Sequence, residues 1–281
     1  MSSDEKGRVA LVTGGSSGIG ESAARELQTK GFTVYAVARR VERMTGLAEQ
    51  GIHTFAMDVT DDESMVAGVQ RILEEQGRID VLVNNAGYGS YGAVEDVPLD
   101  EARRQFEVNV FGLARLTQLV TPTMREQKSG RIINISSVGG RIYEPFGGWY
   151  HATKFAVEGL SDSLRMELRP FGIHVVIVQP AAIVTEWNTI ARDSLLERSG
   201  DTAYGRYARR AHQVLTDFDR PDSRTANRPE VVGRKIAKAA TTKRPAARYP
   251  VGKGARAATT GRDLLPDAVF DQIISRTFGS R

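Results

Sequence analysis

An α/β chain with a doubly wound parallel sheet, covered by helices on both faces, is what these 281 residues predict on three observations. Short apolar, β-branched runs recur at Val9-Ala-Leu-Val12, Val34-Tyr-Ala-Val37, Val81-Leu-Val83, Ile132-Ile-Asn-Ile135 and Val175-Val-Ile-Val178. Continuous runs, without in-out alternation, belong to strands buried on both faces, as a parallel sheet between helices requires. Helical patterns separate the runs, and a glycine-rich turn follows the first of them. Strand and helix alternating from residue 8 to about 180 make repeated right-handed βαβ units. The expected result is a Rossmann-type sheet whose ligands lie beyond the carboxyl ends of the strands.

One domain is expected over residues 1–281, a length that at roughly 100 to 200 residues per domain allows one large unit or two small ones. The first helix is read from Glu21. After the third strand, Thr60 and Glu63 form a capping box, Met65, Val66, Val69, Ile72 and Leu73 an apolar stripe, and Gly77 a C-terminal cap. A long helix runs from Pro98 to about Glu126, and another carries a stripe of Ala156, Leu160, Leu164 and Leu168. Past Pro180 the rhythm changes to helical pieces such as Ile190 to Leu196 and turns such as Asp217-Phe-Asp-Arg-Pro-Asp222. This stretch reads as a substrate-lid insertion around residues 186–228. Pro229-Glu230 opens a further helix, Ala247-Arg-Tyr-Pro-Val251 is a last strand with its proline at an edge, and Leu264 to Phe278 is a final helix.

With 41% apolar and 26% charged residues, the composition is that of a globular protein, neither disordered nor collagen-like. No apolar run approaches the roughly 18 residues of a membrane span, and the short charged start leaves no room for a signal peptide, so a cytoplasmic protein is expected. The absence of cysteine excludes a disulfide scaffold, a thiolate metal site and a cysteine nucleophile. His53, His151, His174 and His212 make no metal-ligand spacing, so no metal is expected. Residues 192–256 carry 16 Lys or Arg against 7 Asp or Glu. These charges are dispersed among alanine and threonine and read as a solvated face, so no nucleic-acid partner is expected.

Directly after the first strand stands Thr13-Gly14-Gly15-Ser16-Ser17-Gly18-Ile19-Gly20. Glycines let a backbone approach a pyrophosphate closely, and the helix that follows offers free N–H groups and the positive end of its dipole. Gly14, Ser16, Ser17, Gly18, Ile19 and Gly20 are the candidate contacts. At the end of the second strand, roughly 20 residues on, NAD-binding folds place an acid for the ribose hydroxyls. Here the residues are Ala38-Arg39-Arg40, and a guanidinium suits a 2′-phosphate. NADP(H) is therefore the preferred cofactor, through Arg39 first, with a hydroxyl from Ser16 or Ser17 and with Arg40 and Arg43 as helpers, and NAD(H) the alternative.

Tyr150 and Lys154, at i and i+4 of a helix, present both side chains to one cleft. A phenol titrates near 10, and an adjacent ammonium favours the phenolate, so the pair can serve acid–base work near neutrality. Just past the fifth strand, Ser137 of Asn134-Ile-Ser-Ser-Val138 can polarise a carbonyl oxygen, with Ser136 as its rival. Asn109 stands inside the long helix, an odd place for a residue that competes with helical hydrogen bonds.

In these motifs, over roughly residues 7 to 185, the sequence resembles the classical short-chain dehydrogenase/reductase family, nearest in pattern to its hydroxysteroid and retinol dehydrogenase-like branch. Thr13-Gly14-x-x-x-Gly18-x-Gly20 matches the family fingerprint, Asn84-Asn85-Ala86-Gly87 its second motif, and Asn109, Ser137, Tyr150 and Lys154 its catalytic set. The resemblance implies that Asp58, beside Val59, contacts adenine, and that Asn85, Ala86 and Gly87 lie against the cofactor. It implies that Tyr150 is the general acid for ketone reduction or base for alcohol oxidation. Lys154 would also bind the nicotinamide ribose, and Asn109 would hold a water linking Lys154 to solvent. The family's serine is the second of the pair, which selects Ser137. Pro180, Ile183 and Thr185 match its Pro-Gly-x-x-x-Thr segment, with Thr185 near the carboxamide and Ala181 in place of the glycine. A homodimer or homotetramer through the long helices is also implied.

The expected activity is hydride transfer between NADP(H) and a carbonyl or secondary alcohol of a small molecule. Tyr88, Tyr91, Tyr143, Phe146, Trp149 and Trp187, with Leu195 and Leu196 in the lid, flank the site and favour a hydrophobic substrate, and Tyr88, Tyr143, Phe146 and Trp187 are the candidate pocket. Two rival readings are a non-catalytic NADP-binding regulatory or scaffold protein, which a broken catalytic set would mark, and an epimerase or dehydratase, which a shorter glycine spacing would mark.

Overall fold

The computed structural model describes residues 7–279 apart from 221, 222, 224 and 225. Its first half alternates β1 (Val9–Thr13), α1 (Gly18–Thr29), β2 (Thr33–Ala38), the short α2 (Thr45–Ala48), β3 (His53–Ala56), α3 (Asp62–Gln76) and β4 (Val81–Asn84). Next come α4 (Leu99–Phe106), α5 (Gly112–Glu126), β5 (Gly130–Ile135), α6 (Gly148–Leu168) and β6 (Ile173–Pro180). The chain ends with α7 (Glu186–Ser199), α8 (Gly205–Asp219), α9 (Pro229–Thr241), β7 (Arg248–Val251), α10 (Ala255–Leu264) and α11 (Asp267–Phe278).

All seven strands are parallel, in the order β3-β2-β1-β4-β5-β6-β7. Strand order reverses between β1 and β4, where Ala10, Leu11 and Val12 pair with Val81, Leu82 and Val83. That reversal opens a crevice at the carboxyl ends. Alternate residues of each run serve opposite faces. Ala10, Val12, Val34 and Ala36 pack on Ala24 and Leu27 of α1 and Val232 and Ile236 of α9. Val9, Leu11, Tyr35 and Val37 pack on Val69 and Ile72 of α3 and Leu116 and Val120 of α5. The edge strands differ from this rule. β3 is exposed at both its ends, and β7 carries Pro250 opposite Gln179, where a missing N–H does least harm. Among the described residues no helix is long and apolar enough to cross a membrane.

Several elements depart from the expected boundaries. α1 begins at Gly18, inside the glycine turn, and not at Glu21. Asp61, not Thr60, caps α3: its Oδ1 accepts from the Glu63 and Ser64 N–H groups, while the Thr60 N–H and hydroxyl both donate to Asp58. The helix expected over 98–126 is interrupted by a π-turn at Glu107–Phe111, and Asn109 sits in it. On α6 the buried face mixes Tyr150, Thr153, Lys154, Glu158 and Ser161 with Val157. Of the expected stripe only Leu168 is buried, and Ala156, Leu160 and Leu164 are half-buried. Asp217, Phe218 and Asp219 belong to α8 and not to a turn, and Pro221 and Asp222 lie outside the described residues. The final helix begins at Asp267 and not at Leu264, because Pro266 holds Leu265 extended (ψ 135°), and Leu264 instead ends a separate helix, α10, that was not expected.

Helix α9 lies so close to α1 that a Cβ on Gly233 would stand 2.2 Å from Ser22 Oγ and 2.9 Å from Ser22 backbone. Gly233→Ala is therefore expected to lower the unfolding free energy by about 1–3 kcal/mol. A Cβ on Gly261 in α10 meets nothing within 4 Å, so Gly261→Ala should raise it by about 0.5–1 kcal/mol. Urea unfolding of the two variants beside the parent checks both signs.

Candidate active site

A cavity of about 790 Å³ lies over the carboxyl ends of β1, β4, β5 and β6. Its floor is made by the glycine turn. Gly14 and Gly18 take the left-handed conformation (φ 67° and 56°), and a Cβ on Gly14 would stand 2.8 Å from Asn85 Nδ2. Ser16, Ser17 and Ile19 line the cavity with these glycines. Gly20 does not: it packs behind the turn, where its Cβ would be 2.1 Å from the Gly14 carbonyl oxygen. Asn85, Ala86 and Gly87 form one wall, pinned to β1 by Thr13. The Thr13 hydroxyl accepts from the Asn85 and Ala86 N–H groups (3.0 and 2.9 Å), and Asn85 Nδ2 donates to the Thr13 carbonyl (2.9 Å). In the sequence Thr13 is only the first letter of the motif, and no short pattern marks it as a strap.

Asp58 and Val59 line the end of the cavity near Arg39 and Arg40. Glu186, at the start of α7, receives both oxygens' worth of hydrogen bonds from Arg43 (3.1 and 2.8 Å) and lies 3.8 Å from Arg40. Among the described residues Arg39 makes no such pair. Pro180, Ile183 and Thr185 line the opposite wall. Asn227 braces that wall by donating to the Ala182 carbonyl (3.0 Å) and accepting from the Lys253 N–H (3.0 Å).

Tyr150, Ser137 and Lys154 converge at the inner end. Ser137 starts a short turn at Val138–Gly140, accepting from the Gly139 N–H (2.9 Å), and hydrogen-bonds the Tyr150 phenol. Ser136 Oγ is buried without a partner, so Ser137 is the serine that meets the phenol. Burial pushes the phenol up, the Ser137 hydrogen bond pulls it down, and the Glu144 carboxylate adds to the rise. The expected lowering by Lys154 is thus not what the folded chain alone produces. Lys154 Nζ stands 5.8 Å from the ring centroid and donates to the Ile135 carbonyl (2.9 Å). Burial lowers that ammonium itself to about 8, against the field of Glu158 one turn on. Glu158, missed although it is four residues from Lys154, is buried and accepts from Gln179 Nε2 (3.0 Å) and Arg248 Nε (2.9 Å).

Asn109 does not line the cavity. From the π-turn its Nδ2 donates to the Tyr88 carbonyl and to Thr153 Oγ1, and its Oδ1 accepts from the Tyr88 N–H. It therefore clamps the segment after Gly87 to α6. Tyr88 and Trp187 line the cavity, Trp187 with its ring 4.9 Å from that of Tyr150. Two expected pocket residues are elsewhere. Tyr143 donates to Asp271 and packs on Phe270 of α11, and Phe146 is covered by Tyr204 and Tyr207 beside α8, so the carboxyl-terminal helices take both rings away from the cleft. Tyr91, another of the aromatic residues expected beside the site, does line it, and so does Glu144.

Comparison with known proteins agrees with this geometry. The short chain dehydrogenase family model matches residues 8–195. A 3-ketodihydrosphingosine reductase of Bacteroides thetaiotaomicron is 37% identical over 247 residues, covering 87% of this chain and 88% of that protein. An NADPH-dependent 3-dehydrocapnine reductase of Ornithobacterium rhinotracheale is 33% identical over 276 residues, 95% of each. The crystal structure of a short-chain dehydrogenase from Streptomyces avermitilis superposes with a TM-score of 0.77 at 34% identity, over 99% of this chain and 98% of that one.

Lys154 offers a test of the site's electrostatics. With its value lowered to about 8 in the folded chain and the ordinary one near 10.4 in the unfolded chain, the unfolded state binds more protons between those limits. Stability owed to this group rises with pH across that window, by up to about 3 kcal/mol. Lys154→Met should remove that part of the slope, read as the difference between parent and variant in urea unfolding at pH 8 and pH 10.

Proposed function

The chain belongs to the classical short-chain dehydrogenase/reductase family, and from that premise we propose that it is an NADP(H)-dependent oxidoreductase acting on a carbonyl or secondary alcohol of a hydrophobic substrate. The observation that carries this reading is the convergence of Tyr150, Ser137 and Lys154 at one end of a cleft whose other end is a glycine cradle.

The cleft fits a dinucleotide. The left-handed Gly14 and Gly18 let the turn bring its backbone to the cavity, the N-terminus of α1 faces it, and Gly87 leaves room beside Lys154. When bound, the nicotinamide supplies or accepts the hydride. Gly14, Ser16, Ser17, Gly18 and Ile19 hold the phosphates, Asp58 and Val59 the adenine end, and Ile183 and Thr185 the nicotinamide end. Arg39 takes the 2′-phosphate, since no carboxylate among the described residues engages it, whereas Arg40 and Arg43 face Glu186. The name of the NADPH-dependent relative supports the same preference. NAD(H) is the weaker fit, because no acid stands at Ala38.

At the reacting carbonyl, Ser137 holds the oxygen and Tyr150 donates its proton. Burial raises the phenol, so Tyr150 is protonated near neutrality, which is the form that reduction needs. Lys154 supplies positive charge beside the phenol, and Asn109 positions both through Tyr88 and Thr153. The segment 186–228 closes over the substrate: Trp187, Ile190, Leu215 and Phe218 put its apolar side chains on the cavity. Two copies pair through α4 to α6, whose exposed Phe111 and Phe155 provide the apolar surface of a homodimer or homotetramer.

Tyr150→Phe is expected to keep NADPH affinity while losing at least about a hundredfold in turnover, measured by calorimetry and by nicotinamide absorbance with a ketone panel. Near-normal turnover would assign the proton to another group. Arg39→Ala should weaken NADPH about ten- to a hundredfold and leave NADH nearly untouched, as one charge-assisted contact predicts. Equal weakening of both nucleotides would remove Arg39 from the phosphate site.

A further inference from the structure

Glu144 places a carboxylate on the wall of the cleft that neither the hydride nor the proton step uses. It lies in the loop between the Val138–Gly140 turn and α6, with its side chain 20% exposed. Its Oε1 accepts from the Tyr91 hydroxyl (2.9 Å). His151 Nε2 is 4.0 Å from Oε1 but accepts the Glu144 main-chain N–H (3.1 Å), while Nδ1 meets the Gly139 carbonyl (2.9 Å). The ring is therefore a neutral tautomer with its proton on Nδ1, and not a counter-charge. Among the described residues no lysine or arginine nitrogen comes within 4.0 Å of this carboxylate.

Such a charge works against the chemistry beside it. Its field raises both Tyr91 and Tyr150, so it opposes any negative charge that develops on the catalytic phenol. A half-enclosed carboxylate is costly until a cation joins it. The surroundings suit one. The rings of Tyr91, Tyr150 and Trp187 pack on one another beside Glu144, their centroids 4.9 to 6.2 Å apart at mutual angles of 34° to 90°. Aromatic faces are negative and attract an organic ammonium. Farther out the wall turns apolar, with Ile142, Ile190, Leu215, Phe218 and Ala258.

We propose that Glu144, flanked by Tyr91 and Trp187, binds the ammonium group of the substrate, which is an alkyl amino ketone or the corresponding amino alcohol. The proposal rests on the oxidoreductase reading and names its substrate class. The carbonyl carbon gains a hydride from the reduced nicotinamide, its oxygen gains the Tyr150 proton, and the ammonium neither gains nor loses a bond. The ammonium seats the neighbouring carbonyl against Ser137, and it cancels the field of Glu144 at Tyr150. The alkyl chain runs along the apolar wall.

The test compares the parent with Glu144→Gln, which keeps an oxygen for the Tyr91 hydroxyl. Turnover with NADP is measured for 2-aminododecan-3-ol and for dodecan-3-ol, and binding of octylamine and of octanol is measured by calorimetry without nucleotide. The parent should prefer each amine by at least about tenfold, and Glu144→Gln should abolish most of that preference in both assays. A parent that shows no preference overturns the ammonium site. So does a preference that survives in the variant, or a parallel loss with both compounds, which would make Glu144 a support for Tyr91. Turnover of dodecan-3-ol without amine preference leaves the oxidoreductase reading intact. Glu144-dependent binding of octylamine with no turnover of either alcohol overturns that reading and upholds the site.

Discussion

Three chain segments meet at the split of the sheet with no room for a side chain between them. The Gly14 carbonyl occupies the place of a Cβ on Gly20, Asn85 Nδ2 reaches into the same space, and Thr13 receives the backbone of Asn85 and Ala86. This contact brings the amino end of α1 against the cleft and lays residues 85–87 beside Lys154. From there the constraint spreads. A Cβ on Gly87 would stand 3.0 Å from Asn109 Oδ1, and Asn109 in turn fixes Tyr88 to α6. The π-turn at 107–111 belongs to this arrangement, because a local widening of a helix re-aims one side chain without ending the helix.

The helix that carries Tyr150 and Lys154 is seated by polar bonds beside its apolar contacts at Val157 and Leu168. Lys154 bonds to the end of β5, Glu158 joins Gln179 and Arg248, and Ser161 joins Asn134, which continues to Asn84. Each bond offsets the desolvation of a buried polar group, so the face is stable only when the set is complete. Directional bonds also fix the rotation of α6 more narrowly than methyl packing does, and that rotation decides where the phenol points.

Elements whose burial is uniform were readable from composition alone. Val9 to Val12 and Val175 to Val178 have no polar residue to disguise them, and the fold class follows. His53–Ala56 is an edge strand, partly exposed, and presents no apolar run. The cap at Asp61 competed with Thr60, one residue away and chemically equivalent in sequence; only the use of Thr60 by Asp58 separates them. In the site, residues bound to a local motif were legible: the glycine turn, Tyr150 with Lys154, and Ser137. Glu186 facing Arg43 across 143 positions was not, since no short pattern encodes so distant a pair. Nor were Tyr143 and Phe146 distinguishable from Tyr91, because α8 and α11 decide which aromatic ring faces the cleft and which is covered.

The loop from residue 141 to 147 is tied at both ends. His151 bridges the Gly139 carbonyl and the Glu144 N–H, and the Gly92 N–H holds the carbonyl of Phe146, a bulky residue kept at φ 68°. Ser137 and Tyr150 flank this arc but take their positions from β5 and α6. The loop thus leans on α6 through His151, but the carboxylate at 144 is carried by the loop and the proton donor by the helix. Exchange of the residue at 144 alters what the cleft admits while the proton donor stays in place, so a lineage built on this frame can change its diet without rebuilding its catalyst.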